Sequence, residues 1–359
     1  MDEGSLSRLG RAALPIVAAL CFVLGVGATL AVAGDTLGYD FRAYQQAAVR
    51  LLDGQPLYDT SFQAAGGFGL FYYPPTFAPL ILPFGWLAET TAIWTWTAIL
   101  LASFVVGVGM LPVSRPVRWW IVILAGLSWP FVYAVKLGQV GPILFLLFAI
   151  GWRWLEDPLR LGVGVGLGAA IKLQPALVLV WAALARRSMA AVVGVAVLVV
   201  LGVGATALAG LSAWSDFAQL VGQVGDPITT AHNVTPGAIA YQLGVPADVS
   251  SVIQWVSVAV TLGLVVVAAR WATGEASYLV AVVASQLVSP ILWDHYAVLL
   301  LLPVAYLCAS GRWWAVLIPL VTSIPLIDVT PPIAYPLSFA VALGATLVVG
   351  VQAKRREAA

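Results

Sequence analysis

The chain has 359 residues and a net charge of +1, and 61% of its residues are hydrophobic while only 9% are charged. A soluble domain carries about 25% charged residues, so this composition excludes a water-soluble globular protein. The near-neutral charge gives no reason to expect a nucleic acid as partner. Cys21 and Cys308 both lie inside apolar runs, which argues against a disulfide framework or a cysteine-based metal cluster.

Apolar runs of membrane-spanning length occur along the whole chain. A bilayer core about 30 Å thick needs about 20 apolar residues per helix. We therefore predict an all-α fold, a polytopic transmembrane helical bundle with about ten crossings, forming a single integral membrane domain over 1–359. The predicted crossings are 12–33, 88–111, 119–135, 139–154, 189–210, 251–269, 277–291, 296–309, 313–327 and 336–352. The first is too long for the apolar part of a cleaved signal peptide and is predicted to be a retained anchor.

Two further apolar stretches, 71–87 and 161–185, are interrupted by proline. The first carries Pro74, Pro75, Pro79 and Pro83, and the second carries Lys172 and Pro175 at its centre. Proline removes a backbone donor and bends or ends a helix, so each half is too short to cross alone. We predict broken or re-entrant half-helices that return to the side they left.

The distribution of basic residues predicts the orientation. With a cytoplasmic N-terminus, 13 of the 17 Lys and Arg residues face the cytoplasm, as the positive-inside rule requires. The thirteen are Arg8, Arg11, Arg115, Arg118, Arg153, Arg160, Arg186, Arg187, Arg270, Arg312, Lys354, Arg355 and Arg356. The other four are Arg42, Arg50, Lys136 and Lys172, and ten acidic residues, Asp328 among them, lie outside with them. A full crossing by one broken stretch would abolish this bias.

The predicted outer loops 34–75 and 211–250 are long and polar, whereas the inner loops are short. Exposed polar chemistry therefore concentrates on the outer face. Gly162, Gly164, Gly166 and Gly168 form a small-residue stripe, which favours close helix packing. A nucleotide-binding glycine loop would need a preceding strand, and the pattern predicts none there.

Asp40 follows the first crossing in the run Gly38-Tyr39-Asp40-Phe41. A carboxylate at the mouth of a cavity can take a proton from a sugar hydroxyl as a general base. The same position also fits the cap of an amphipathic helix, a purely structural role. Asp35 is a nearby competing carboxylate, and residue type alone leaves these interpretations open.

Lys172 and His295 are the other polar residues placed where hydrocarbon is expected. A charge at that depth is costly, so it should face a cavity or a partner. Lys172 could bind a phosphate between two half-helices, or it could be a structural lysine. His295, in a short outer turn, could hydrogen-bond or protonate a leaving phosphate, or hold the interface; His232, in a long loop, is the weaker candidate. Only Asp294 and His295 approach metal-ligand spacing, so we expect no metal and no cofactor.

Several runs together resemble the GT-C superfamily of polyprenyl-phosphate-sugar-dependent glycosyltransferases. They are most similar to glycosyltransferase family 87 and its bacterial α-mannosyltransferases of the phosphatidylinositol-mannoside type. The runs are Gly38-Tyr39-Asp40-Phe41 with Tyr44, Leu52-Asp53-Gly54-Gln55-Pro56-Leu57-Tyr58, Tyr73-Pro74-Pro75 with Phe77 and Pro83, Gly138-Gln139-Val140, Ala170-Ile171-Lys172-Leu173-Gln174-Pro175, Ser289-Pro290, and Trp293-Asp294-His295-Tyr296. Each run alone is weak evidence, whereas the set in this order is fairly specific.

The resemblance implies a hexosyltransferase in the plasma membrane with its active site on the extracytoplasmic face. It would move a sugar, mannose by analogy, from a polyprenyl-phosphate donor to a lipid or glycan acceptor. Asp40 matches the catalytic aspartate, His295 an active-site histidine, and Lys172 the basic residue near the donor phosphate. The matching runs also make Tyr44, Tyr73, Gln139, Gln174 and Trp293 candidate substrate-binding residues.

Two other classes of protein remain compatible with the sequence. A transporter or lipid flippase also uses broken helices with a charged centre, but it usually shows inverted repeats and polar residues along both halves of its pathway. Here the polar residues concentrate on one face, which favours an enzyme. A non-catalytic subunit of an envelope-assembly complex is the third interpretation, and the sequence gives no evidence for or against it.

Overall fold

A computed structural model describes residues 3–61, 70–223, 226–230, 232–323 and 332–359. Several predictions fall partly outside the described residues. They are positions 62–69 of the first long loop, positions 224–225 and 231 of the second, residues 324–327 of the ninth predicted crossing, Asp328, and the side chains of Arg8 and Arg11.

The described residues form helices and contain no strand. The α-helices are α1 Glu3–Ala33, α2 Tyr39–Leu52, α3 Ala78–Ile81, α4 Glu89–Met110, α5 Arg115–Leu127, α6 Trp129–Leu137, α7 Gly141–Arg153, α8 Pro158–Ile171, α9 Ala176–Leu184, α10 Ser188–Ala209, α11 Ser212–Gln223, α12 Pro236–Gln242, α13 Ala247–Trp271, α14 Gly274–Leu287, α15 Leu301–Ala309, α16 Leu317–Val321 and α17 Ala334–Ala358. The 3₁₀ helices are Gly34–Thr36, Pro75–Phe77, Leu82–Trp86, Pro227–Thr229, Asp294–Leu300 and Trp313–Val316. The predicted all-α membrane fold is confirmed.

Within the described ranges, five helices are long and apolar enough to cross a membrane: α1, α4, α10, α13 and α17. The pair α5 and α6 bends by 65° at Ser128 and forms either a sixth, broken span or a re-entrant loop. Ser128 has an extended backbone (φ −99°, ψ 129°), and Pro130, in the first turn of α6, has no N–H to continue the hydrogen bonds of α5. Helices such as α7 and α8 are apolar but shorter, so the count of about ten crossings stays a prediction.

Ion pairs hold the ends of both proline-interrupted stretches, which is compatible with the predicted re-entrant half-helices; the side on which each stretch ends stays a prediction. In the stretch 161–185, α8 ends at Lys172 and α9 begins after Pro175. Arg187, just beyond α9, pairs with Glu156, just before α8, at 2.6 Å. The stretch 71–87 forms only short helices, and the Arg42–Glu89 ion pair (2.6 Å) holds its far end beside α2.

Small residues let the long helices approach closely. A Cβ atom added at Gly162 or Gly166 would overlap backbone atoms of α10, at Ala190 and Gly194 respectively. The predicted packing role of the glycine stripe is therefore confirmed for these two residues. In the same way, α1 and α5 cross with Gly25 against Gly126.

The two long polar loops lie at one end of the bundle. The first long loop packs on the second, where the rings of Tyr58 and Phe217 lie 5.8 Å apart. Arginines instead follow the opposite helix ends, as at Arg153 on α7 and Arg270 on α13. The two ends of α13, 25 residues long, are about 37 Å apart, so the bundle has a polar face and a separate basic face.

The close crossing of α1 and α5 at Gly25 can be tested by substitution. Gly25→Ala should destabilise the protein by about 1–3 kcal/mol, because its Cβ would overlap the carbonyl oxygen of Gly126 and the backbones must separate. Thermal unfolding in detergent, followed by tryptophan fluorescence, measures the loss. Gly27→Ala is the matched control on the same helix, since nothing lies within 4 Å of its added Cβ. It should be neutral or stabilising by up to about 1 kcal/mol; equal destabilisation of both variants would contradict the close crossing.

Candidate active site

Two glycines bring α2 against the end of α6. Gly38 precedes α2 with φ 71° and donates its backbone N–H to the carbonyl of Lys136 at 2.7 Å. Gly138 ends α6 with φ 76°, and a Cβ added there would lie 2.6 Å from the Cβ of Phe41. Only glycine adopts this left-handed backbone without steric cost. The contact places Asp40, in the first turn of α2, opposite Gln139.

Asp40 accepts the last hydrogen bond of a buried chain of side chains. Gln139 donates from Nε2 to Asp40 Oδ2 at 2.5 Å and accepts on Oε1 from the hydroxyl of Tyr73 at 2.9 Å. The hydroxyls of Tyr44 and Tyr73 are 2.6 Å apart. Because Tyr73 gives its only hydrogen to Gln139, Tyr44 must donate to Tyr73. Every donor therefore points toward the carboxylate, and the chain stabilises its charged form.

The surroundings of Asp40 shift its affinity for protons. Burial raises the pKa of Asp40 above its ordinary value of 3.8, while the charges of His295 and Lys172 and the Gln139 hydrogen bond act to lower it. Gly38, not Asp40, occupies the cap position of α2. The structural alternative of Asp40 as a helix cap is therefore wrong, and the carboxylate is left for other contacts.

Lys172 is a buried cation between two aromatic rings. Its side chain sits at the end of α8, with 9% of the residue exposed. Nζ lies 3.9 Å from the ring centroid of Tyr296 and 5.6 Å from that of Tyr73. Among the described residues it forms no ion pair within 4 Å. Aromatic faces partly offset the cost of burial, but a buried ammonium without a counter-ion remains well suited to receive an anion.

His295 is held by its neighbour Asp294. Nδ1 lies 3.5 Å from Asp294 Oδ1, and the other oxygen of Asp294 accepts from the indole of Trp129 at 3.0 Å. The second ring nitrogen, Nε2, is buried and has no hydrogen-bond partner among the described residues. Buried polar atoms are nearly always paired, so Nε2 is a candidate contact for a substrate atom.

Asn233 fixes the turn that leads to His295. Its Nδ2 donates to the carbonyls of Pro227 (2.8 Å) and Pro290 (3.1 Å), and its Oδ1 accepts from the N–H groups of Thr235 (3.1 Å) and Leu292 (3.0 Å). One side chain thus joins the second long loop to the turn after α14. Sequence reasoning gave Asn233 no role; a fully buried asparagine beside a proline-containing turn is recognisable only in the fold.

The structure brings together most of the predicted site residues. Asp40, Lys172 and His295 lie close enough for their charges to interact, with Tyr44, Tyr73 and Gln139 in the same group. Gln174 donates instead to Ser289 at 3.0 Å, and its Oε1 is buried without a partner in the described ranges. Trp293 is half-buried in the adjacent turn. Asp35 and His232 are exposed outside the group.

The hydroxyls of Tyr44 and Tyr73 and the amide of Gln139 already have partners within the protein. Their contact with substrate stays a prediction, and the geometry shows what they do in the absence of substrate: they orient Asp40.

Sequence reasoning missed three partners, Tyr296 beside Lys172, Asp294 beside His295 and Trp129 on Asp294. Tyr296 and Asp294 adjoin His295 in sequence, whereas nothing in the sequence indicated Trp129. The described residues hold no group of three or more His, Cys, Asp or Glu side chains that could bind a metal.

Similarity to known proteins shows the family to which this chain belongs. The model of glycosyltransferase family 87 matches residues 71–293, a range that includes Tyr73, Gln139 and Lys172 but not Asp40 or His295. A polyprenol-phosphate-mannose-dependent alpha-(1-2)-phosphatidylinositol mannoside mannosyltransferase of Mycobacterium tuberculosis is 31% identical over 299 residues, covering 73% of this chain and 68% of its own length. The protein of the same name from Mycolicibacterium smegmatis is 27% identical over 300 residues, with the same coverage. No solved structure matches the chain.

These matches and the helices of membrane length define a membrane-embedded hexosyltransferase. The chain belongs to glycosyltransferase family 87, whose model covers more than half of it. Membership of a glycosyltransferase family does not favour the interpretation of this protein as a transporter.

Proposed function

We propose that the protein transfers mannose from a polyprenyl-phosphate donor to a hydroxyl of a lipid or glycan acceptor, with Asp40 as general base. The observation that carries this proposal is the buried chain from Tyr44 to Asp40, in which every donor points toward the carboxylate. The names of both mycobacterial relatives support mannose as the sugar and a phosphatidylinositol mannoside as the acceptor class.

The reaction is a direct displacement at the anomeric carbon of the donor. The acceptor oxygen attacks that carbon, the carbon–oxygen bond to the phosphate breaks, and the bonding electrons leave with the polyprenyl phosphate. Asp40 takes the proton that the acceptor hydroxyl loses. A single displacement inverts the configuration and needs only one base, so no second carboxylate is required.

In this proposal, Lys172 and His295 bind the phosphate of the donor. The ammonium of Lys172 is buried beside Tyr296 without a counter-ion in the described part of the chain, so it binds the phosphate and stabilises the charge that grows as the bond breaks. When both ring nitrogens of His295 are protonated, the free Nε2 donates to a phosphate oxygen, and Asp294 stabilises the cation from the other side. The polyprenyl tail remains in the bilayer.

Asp40→Asn tests the base directly. The change keeps size and shape but removes the site that accepts a proton, and general-base catalysis contributes about 10²–10⁴-fold. Turnover of purified protein with polyprenyl-phosphate mannose and a phosphatidylinositol mannoside acceptor should fall at least about a hundredfold, with donor binding little changed. Asp35→Asn is the control, because the same charge is lost from an exposed residue outside the site and turnover should persist.

Three other results would each revise the mechanism. Normal turnover by Asp40→Asn would move the base to the Asp294–His295 pair. A dead Asp35→Asn protein beside an active Asp40→Asn protein would assign the role to the wrong carboxylate. No sugar transfer by the wild-type protein with any polyprenyl-phosphate sugar would refute the proposed donor.

The hydrogen-bonded chain predicts a specific pH dependence. The base works only when deprotonated, so activity is lost as the pH falls through the pKa of Asp40, which burial raises above 3.8. Gln139→Leu removes a donor to the charged form, raises that pKa further, and moves the acid limb of kcat/KM to higher pH. Gln45→Leu is the matched control on α2, since Gln45 donates to the carbonyls of Phe84 and Leu87 rather than to Asp40. It should lower stability and leave the limb in place; coincident limbs for both variants would show that Gln139 is only structural.

We further propose that the site faces the outside of the plasma membrane, supported by the bias of 13 of 17 basic residues toward the opposite face. Single cysteines at Ser61 and Ser212, both exposed in the two long predicted outer loops, should react with a membrane-impermeant maleimide in intact cells. The background carries Cys21→Ala and Cys308→Ala. Arg355→Cys, at the other end of the bundle, should react only after permeabilisation, and the reverse pattern would invert the orientation.

A further inference from the structure

A second site lies on the basic face, far from Asp40. A cavity of about 620 Å³ opens where α9 and α13 end, lined by Leu184, Ala185, Arg186, Ala269, Arg270 and Lys354. We call it the basic cavity. It belongs to the opposite end of α13 from the one beside the long loops, so no residue of the sugar-transfer site takes part in it.

The basic cavity carries three cations and no acid. In the described ranges, Arg186 and Arg270 form no ion pair and no side-chain hydrogen bond. Lys354 donates to the backbone carbonyl of Arg270 at 2.9 Å, which holds its ammonium at the rim. A neighbouring cavity of about 490 Å³ contains Glu275 and Glu357 and shares Lys354. Neither acid reaches within 4 Å of Lys354 in the described part of the chain, so the positive charge of the basic cavity remains uncompensated.

The backbone at Arg186 is unusual. It has φ 59°, the left-handed conformation in which glycine normally follows a helix, and an L-residue with a side chain adopts it at a cost. The next arginine, Arg187, is used differently: its guanidinium binds both oxygens of Glu156 (2.6 and 2.8 Å) and the carbonyl of Leu155 (2.6 Å). Strained positions tend to be functional, and of these two arginines the strained one is the one without a partner.

Apolar surface continues from the basic cavity toward the membrane interior. On α9, Val180 lies one turn before Leu184, and these side chains are 54% and 46% exposed. On α13, Val266 lies one turn before Arg270 and is 39% exposed. α9 and α13 pack against each other, so a headgroup in the cavity has acyl chains beside these residues. A soluble anion would gain nothing from this strip.

We infer that the basic cavity binds the phosphate headgroup of an anionic phospholipid, with the acyl chains along α9 and α13. Clusters of Lys and Arg at the membrane surface recognise anionic lipids, and each such residue contributes to affinity. A zwitterionic lipid carries its own ammonium into the same cavity and is disfavoured.

The test compares two lipids on the purified, full-length protein in detergent. Dioleoyl phosphatidylglycerol and dioleoyl phosphatidylcholine are titrated separately, and bound lipid is counted by native mass spectrometry. The wild-type protein should prefer phosphatidylglycerol by at least about tenfold, and the variant Arg186→Gln/Arg270→Gln/Lys354→Gln should lose that preference. The control Arg312→Gln/Arg355→Gln/Arg356→Gln removes the same charge from the same face outside the cavity and should keep it.

Equal affinity of the wild-type protein for the two lipids overturns the inference, as does an undiminished preference in the cavity variant. Millimolar inorganic phosphate is the third arm: complete displacement of phosphatidylglycerol identifies a site for free anions and also overturns it. Arg186→Gly is a second variant that removes the guanidinium without disturbing the fold, because glycine adopts the left-handed backbone freely. That variant should be at least as heat-stable as wild type and bind phosphatidylglycerol several-fold more weakly; wild-type affinity there counts against the site.

Discussion

The close contact between the residues around Gly38 and Gly138 determines the geometry of the site. A side chain at position 138 would meet the Cβ of Phe41 at 2.6 Å, so α2 can reach α6 only because both turns use glycine. The contact is fixed by the Gly38 N–H on the carbonyl of Lys136 and by the Trp96 indole on the carbonyl of Gly138, each at 2.7 Å. A displacement of α2 would break the bond between Gln139 and Asp40, because hydrogen bonds tolerate only a few tenths of an ångström.

The site holds groups that a purely structural interior would not keep. The Lys172 ammonium is buried between rings, and the Nε2 atom of His295 has no partner among the described residues. Each raises the free energy of the folded state, because buried polar and charged groups are stable only when paired. A phosphate between them would pair with both groups, and its binding would then recover the free energy that their burial costs on folding.

The two ends of the bundle use arginine and lysine differently. At the polar end, Arg42 and Arg50 pair with Glu89 and Asp59 and stabilise loops, whereas Lys172 forms no ion pair in the described ranges. At the basic end, Arg187 is paired, whereas Arg186 and Arg270 have no ion-pair partner in the part of the chain that the structure describes. Each end thus combines paired cations that fix the backbone with cations that form no ion pair among the described residues.

The sequence by itself determined the all-α membrane class, the breaks at 71–87 and 161–185 and the face on which polar residues gather, because hydrophobic length, proline and charge act locally along the chain. It also singled out Asp40, Lys172 and His295, since charges in apolar surroundings are rare and conspicuous. Only the tertiary structure decided what these residues contact. Gln139 lies 99 residues from Asp40, Trp129 lies 165 from Asp294, and the partners of Asn233 come from two loops. Such contacts depend on how the helices cross. The crossings are determined by the packing of side chains that are far apart in sequence, so local sequence patterns do not predict them.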